Sequence, residues 1–118
     1  MTNTLDESNR QPAQWYECSG FQRDLLLGIA AHDHLNERPY GVALQEWLDA
    51  RYPTTVVRSR VYHNLGELVD MGLIEPMQSP DRKTGYRLTN AGKASLAAHS
   101  RFVNALDLSE LLPARDGA

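Results

Sequence analysis

The chain has 118 residues, of which 42% are hydrophobic and 23% charged, and a formal net charge of −3. This length and composition fit one soluble globular domain with a single core, and no apolar run approaches the roughly 18 residues of a membrane span. The lone cysteine, Cys18, excludes an internal disulfide and cannot build a zinc site by itself, while the acidic balance argues against indiscriminate coating of nucleic acid.

Residues 1–14, rich in Asn, Gln and Ser, lack apolar periodicity and are predicted to form a flexible arm anchored by Trp15 and Tyr16. The first residues have neither the positive flank nor the apolar segment of a secretory signal, so the expected location is the cytoplasm. Ser19 and Gln22 have the spacing of a capping box, in which a hydroxyl and an amide satisfy free backbone N–H groups at a helix start. A helix is predicted from about Gly20 to His32, with Phe21, Leu25, Gly28, Ile29 and His32 on one face. His32 and His34 have a single residue between them, a weak metal signal without further ligands; the expectation is a helix end, with no metal and no cofactor.

Residues 36–41 have the composition of a turn, and Leu44, Trp47, Leu48 and Arg51 give a second helical face that must end before Pro53. A third helix, over about residues 57–71, places Val61, Leu65, Leu68, Val69 and Gly72 on one face. Ser59, Arg60, His63, Glu67 and Asp70 project from the other. Gly72 is its cap, residues 73–77 are a strand that Pro76 restricts to a sheet edge, and residues 79–85 form the loop to a return strand at Tyr86–Leu88. A last helix starts after Thr89, runs toward Leu106 or beyond, and ends by Pro113 at the latest. Its Leu96, His99, Phe102, Val103 and Leu106 give it an apolar face that the preceding core has little need of, a candidate dimer interface.

Charge is distributed unevenly along the chain. Residues 54–93 carry six bases and four acids, whereas residues 1–53 carry four bases and eight acids. The one basic segment therefore coincides with the third helix and the hairpin. The expected fold is mainly α with a small β-hairpin: a winged helix-turn-helix over residues 15–92, then a C-terminal dimerisation helix and tail over 93–118.

The motifs Tyr62-x-Asn64-Leu65, Gly72-Leu73-Ile74 and Tyr86-x-Leu88-Thr89-x-x-Gly92, in this order, resemble the PadR-like winged-helix transcriptional regulators, and among them the short haloarchaeal members that include a reactive-oxygen-stress regulator. At Ser59 those regulators often carry Gly and at His63 often Pro. The resemblance implies a homodimer joined through its terminal helices, one recognition helix per subunit in a major groove of double-stranded DNA, and a role in stress response. Two-fold symmetry of the protein makes the expected operator a pseudo-palindrome.

On that reading Arg58, Ser59, Arg60, Tyr62 and His63 face DNA from the helix, since an arginine fork matches guanine or phosphate and short polar side chains fit a groove. Arg82, Lys83, Thr84 and Arg87 contact it from the wing. The competing reading of the hairpin cations is protection of an exposed edge, and that of the whole domain is a protein-interaction module without DNA binding. Enzyme readings fail for want of a phosphate-cradling glycine loop, a nucleophile with its base, or a basic neighbour for Cys18. Cys18 is expected to be a small apolar residue at the first helix cap.

Overall fold

A computed structural model describes residues 13–35, 37–81 and 83–111. A short helix α1 (Ala13–Glu17) leads into α2 (Gly20–His34), α3 (Gly41–Asp49) and α4 (Arg58–Asp70). The hairpin strands β1 (Ile74–Gln78) and β2 (Thr84–Leu88) follow, then α5 (Asn90–Ala105) and a 3-10 turn, Leu108–Leu111. The expected architecture is present, mainly helical with one two-stranded antiparallel hairpin. Several boundaries shift: α3 ends at Asp49, short of Arg51, and β2 begins at Thr84 instead of Tyr86. Ala13 and Gln14 belong to α1 instead of the arm, and α2 runs two residues past His32. The rest of the arm, Arg82, the tail from residue 112 and Pro113 lie outside the described residues.

Each element starts and stops for a local reason. Ser19 caps α2, its hydroxyl accepting from the Gln22 N–H at 3.1 Å while the Gln22 side-chain oxygen accepts from the Ser19 N–H at 3.0 Å. Gly72, at φ +77°, ends α4 in a Schellman arrangement: its N–H donates to Val69 O at 2.9 Å and the Leu73 N–H to Leu68 O at 3.1 Å. Thr89 then ties hairpin to helix. Its hydroxyl accepts from the Gly92 N–H at 3.1 Å, capping α5, and donates to Gly72 O at 2.6 Å. A Cβ at Gly92 would run into the Leu73 carbonyl oxygen, so the close approach of α5 to the hairpin base needs a glycine there.

The core lies among α1, α2, α3, α4 and the start of β1. Phe21, Leu25, Leu26, Ile29, Leu44, Leu48, Val61, Leu65, Leu68, Leu73 and Ile74 are buried, with Trp15 and Cys18 closing one side. The predicted inner faces of α2 and α4 are therefore inside, apart from Val69, which is partly exposed, and Gly72, which is exposed. Arg51, expected on the α3 face, lies two residues past the end of that helix and is exposed; its guanidinium stacks 3.8 Å from the centroid of Trp47.

Candidate nucleic-acid interface

The turn before α4 is pinned by α3. Val56 is buried, its N–H donating to Asp49 Oδ1 at 2.9 Å and its carbonyl accepting from Gln45 Nε2 at 3.0 Å. This fixes where α4 begins, and Arg58, at its first position, is exposed, with Nε 3.4 Å from Gln45 Oε1. At 100° per residue, and with Val61, Leu65 and Leu68 inward, Ser59, His63, Gly66 and Asp70 form the ridge that points directly away from the core. Ser59 and His63 are exposed.

Arg60 and Tyr62 occupy the two flanks. The Arg60 guanidinium lies over the Phe21 ring, toward α2. The Tyr62 ring lies against Gly41, the first residue of α3, where an added Cβ would collide with its ring and hydroxyl. Tyr62 thus packs beside the helix while remaining 43% exposed. A cleft of about 580 Å³ opens between the start of α3 and the wing, lined by Tyr40, Val42, Glu46, Tyr62, Lys83 and Thr84.

The wing is attached to this surface by a β-bridge between Tyr40 and Gly85. Its tip is ordered by Ser79, whose N–H donates to Lys83 O at 2.9 Å and whose hydroxyl bonds to Asp81. That hydroxyl holds the Asp81 carboxyl below the usual carboxylate range. Lys83 and Thr84 are exposed, with Lys83 Nζ 5.7 Å from the Tyr40 ring centroid. Arg87 lies elsewhere: it faces Glu75 across the strands, in an ion pair at the hairpin base beside Asn90 and Lys93. Four strand residues, about 13 Å, separate it from Lys83. Tyr62, Lys83 and Thr84 are therefore brought together around one cleft, Arg58 lies beside α3, Ser59 and His63 stand on the outward ridge, Arg60 is on the opposite flank and Arg87 is apart.

Behind the ridge is a polar network that sequence reasoning did not find. Gln22, buried at 3% exposure, donates from its side-chain nitrogen to Asn64 Oδ1 at 3.0 Å and to Glu67 Oε2 at 2.6 Å. Glu67 Oε1 in turn lies 2.8 Å from His63 Nε2. The i, i+4 spacing of His63 and Glu67 was a visible signal; the partner 45 residues away was not.

Cys18 lies in the core, its Sγ 3.4 Å from Gln14 O and 3.9 Å from Met71 Sδ, and burial raises its thiol pKa, the reverse of an activated thiolate. His32 is buried, with Nδ1 2.8 Å from Gly28 O, and among the described residues no group of three or more His, Cys, Asp or Glu is placed to hold a metal. No described helix is long and apolar enough to cross a membrane. On α5, Leu96 packs on the core and His99 stacks on Trp15 with centroids 4.8 Å apart. Phe102 and Leu106 are exposed and Val103 half-buried.

No curated protein matches the chain. Among solved structures it is similar to hsRosR in its complex with S4, at 27% identity and TM-score 0.68 over 88% of this chain and 83% of that one. It also resembles RosR of H. salinarum grown from NaBr, at 30% identity and TM-score 0.57 over 84% and 82%. MepR, a transcription regulator of the Staphylococcus aureus multidrug efflux pump MepA, shares the fold at 19% identity and TM-score 0.66 over 92% and 76%. The family model for PadR-like transcriptional regulators matches residues 33–98, from the end of α2 through the recognition helix and wing into α5, and with more than half of its length so matched the chain belongs to that family.

Proposed function

We propose that this DNA-binding regulator acts as a homodimer on a pseudo-palindromic site, with α4 of each subunit in a major groove and the β1–β2 wing on the flanking backbone. The observation that carries the proposal is the outward ridge of α4. Ser59 and His63 stand exposed on it, Arg58 is exposed at the first position of α4, and Lys83 of the wing shares a cleft with Tyr62 on the flank of the same helix. Cations at the first turn and the wing tip suit phosphates, and the helix start adds favourable dipole there, whereas short side chains on the ridge suit base edges.

Arg82, the other wing-tip cation, belongs to the same proposal on its sequence position. Arg87, already paired with Glu75, takes the more distant backbone. A stress-linked role rests on the resemblance to the haloarchaeal regulators; the buried thiol of Cys18 lends it nothing. Selection of bound fragments from a random DNA pool at low and high salt tests the proposal. The expected product is an enriched site with two-fold symmetry, bound less tightly as salt rises. Recovery of the input pool unchanged would instead favour a winged helix used only for protein contacts.

A further inference from the structure

We infer that His63 is a base reader locked in hydrogen-bond acceptor mode, and that Gln22 and Glu67 are the positioning residues that lock it, so that it selects a base with an exocyclic amino group. This rests on the proposed docking of α4 in the major groove.

The polarity of the network is fixed at its far end by a group with no choice. The Ser19 backbone N–H can only donate, and it donates to the side-chain oxygen of Gln22 at 3.0 Å. The other arm of that amide is therefore NH2. Its two hydrogens go to Asn64 Oδ1 at 3.0 Å and Glu67 Oε2 at 2.6 Å, which leaves no unsatisfied donor on a side chain only 3% exposed. Glu67 is thereby held with its second oxygen toward His63 Nε2, at 2.8 Å.

A carboxylate offers only lone pairs. In the neutral imidazole, therefore, Nε2 carries the proton and Nδ1 carries the lone pair. Nδ1 has no hydrogen-bond partner among the described residues, and the side chain is 71% exposed on the outward ridge. In a major groove a lone acceptor pairs with adenine N6 or cytosine N4 and is repelled by guanine O6 and thymine O4.

The substitution Glu67→Gln should invert this tautomer. Gln22 would still present a buried N–H, and leaving that donor unpaired is costly, so the oxygen of the introduced amide would turn to it. The NH2 of the same amide would then face His63 Nε2, which must accept, moving the ring proton to Nδ1 and making the exposed atom a donor.

The test has two arms. Nitrogen NMR of the His63 ring in the free protein at about pH 8, above the ordinary histidine range, should show a bare Nδ1 in the wild type and a protonated Nδ1 in Glu67→Gln. Selection from a random pool should show one position per half-site that favours adenine or cytosine by about three- to tenfold, the worth of one hydrogen bond. His63→Ala should lose that preference, and Glu67→Gln should exchange it for guanine or thymine. A protonated Nδ1 or an even tautomer mixture in the wild type overturns the inference, as does an unchanged base preference in His63→Ala while DNA binding persists. A wild type with no sequence preference at all defeats the docking of α4 itself, whatever the tautomer.

Discussion

The Cζ of Arg60 lies 3.9 Å from the centroid of the Phe21 ring, and the ring of Tyr52 meets Phe21 edge-on, with centroids 5.7 Å apart. The free protein therefore holds the most prominent cation of the recognition helix against α2, on the flank of α4 and off its ridge. Under the proposed docking, phosphates would border the groove on that flank, so Arg60 would contact backbone. Arg60→Ala should weaken binding to preferred and random DNA alike and lower the salt slope by about one. A loss confined to the preferred site would show that Arg60 leaves Phe21 and enters the groove.

Tyr52 is the other neighbour of Phe21. Its hydroxyl donates to Asp24 Oδ2 at 2.5 Å, joining the turn after α3 to α2. Burial, and after it the bond to Asp24, pushes the Tyr52 phenol up to about 12. The unfolded chain loses this proton near pH 10, so between about 10 and 12 the folded state holds more protons and stability falls as pH rises. The contribution is complete below about pH 10. Denaturant melts of wild type and Tyr52→Phe should show a wild-type advantage of about 1 kcal/mol at neutral pH that shrinks through that window. A difference independent of pH up to about 12 would contradict the shift.

Gly66 stands on the outward ridge, in the interior of α4, and a Cβ there would meet nothing within 4 Å. Gly28 and Gly41 are different, since side chains of Trp47 and Tyr62 press on them. Among the described residues nothing needs the glycine at 66. Gly66→Ala should stabilise the free protein by about 0.5–1 kcal/mol, raising the melting temperature by a few degrees. Under the proposed docking it should also weaken specific DNA binding, because the added methyl stands where the helix meets the groove. A stabilised variant with undiminished affinity would place Gly66 outside the contact.

The helices and hairpin were legible because their signals are local. The spacing of Phe21, Leu25 and Ile29, the box of Ser19 and Gln22, Gly72 at a helix end and Pro53 after α3 act through neighbours three or four residues away. What escaped depends on pairs remote in sequence. Gln22 spends its oxygen on the cap, as its spacing implies, but the direction of its NH2 is set by α4 packing across α2. His99 carries the spacing of an interface residue, yet Trp15, from the opposite end of the chain, lies on it. Tyr62 lies flat beside Gly41 only because α3 crosses α4 there. Arg87 has the charge of a wing contact and the register of a cross-strand partner for Glu75, and pairing spends that charge locally.

The contact of Trp15 with His99 divides the α5 face in two and so sharpens what a dimer would use. Leu96 and His99 are engaged within the subunit. Beyond them Phe102 is 40% exposed and Leu106 45%, with Val103 half-buried between. Leu108 and Leu111, in the 3-10 turn, extend the same end with 43% and 78% exposure. Covering a large apolar side chain fully is worth about 1.5–3 kcal/mol, and an isologous contact covers each twice, enough to offset a substantial association cost. We therefore expect an obligate dimer joined through the second half of α5. Its two α4 helices should address major grooves about one turn apart, roughly 34 Å. Val103→Asp would bury a charge in that seam without touching α4 or the wing, and should give monomers that keep their helical content but lose specific binding. Light scattering and footprinting on the same samples decide the matter: a wild-type monomer that protects both halves of a palindromic site would refute the arrangement.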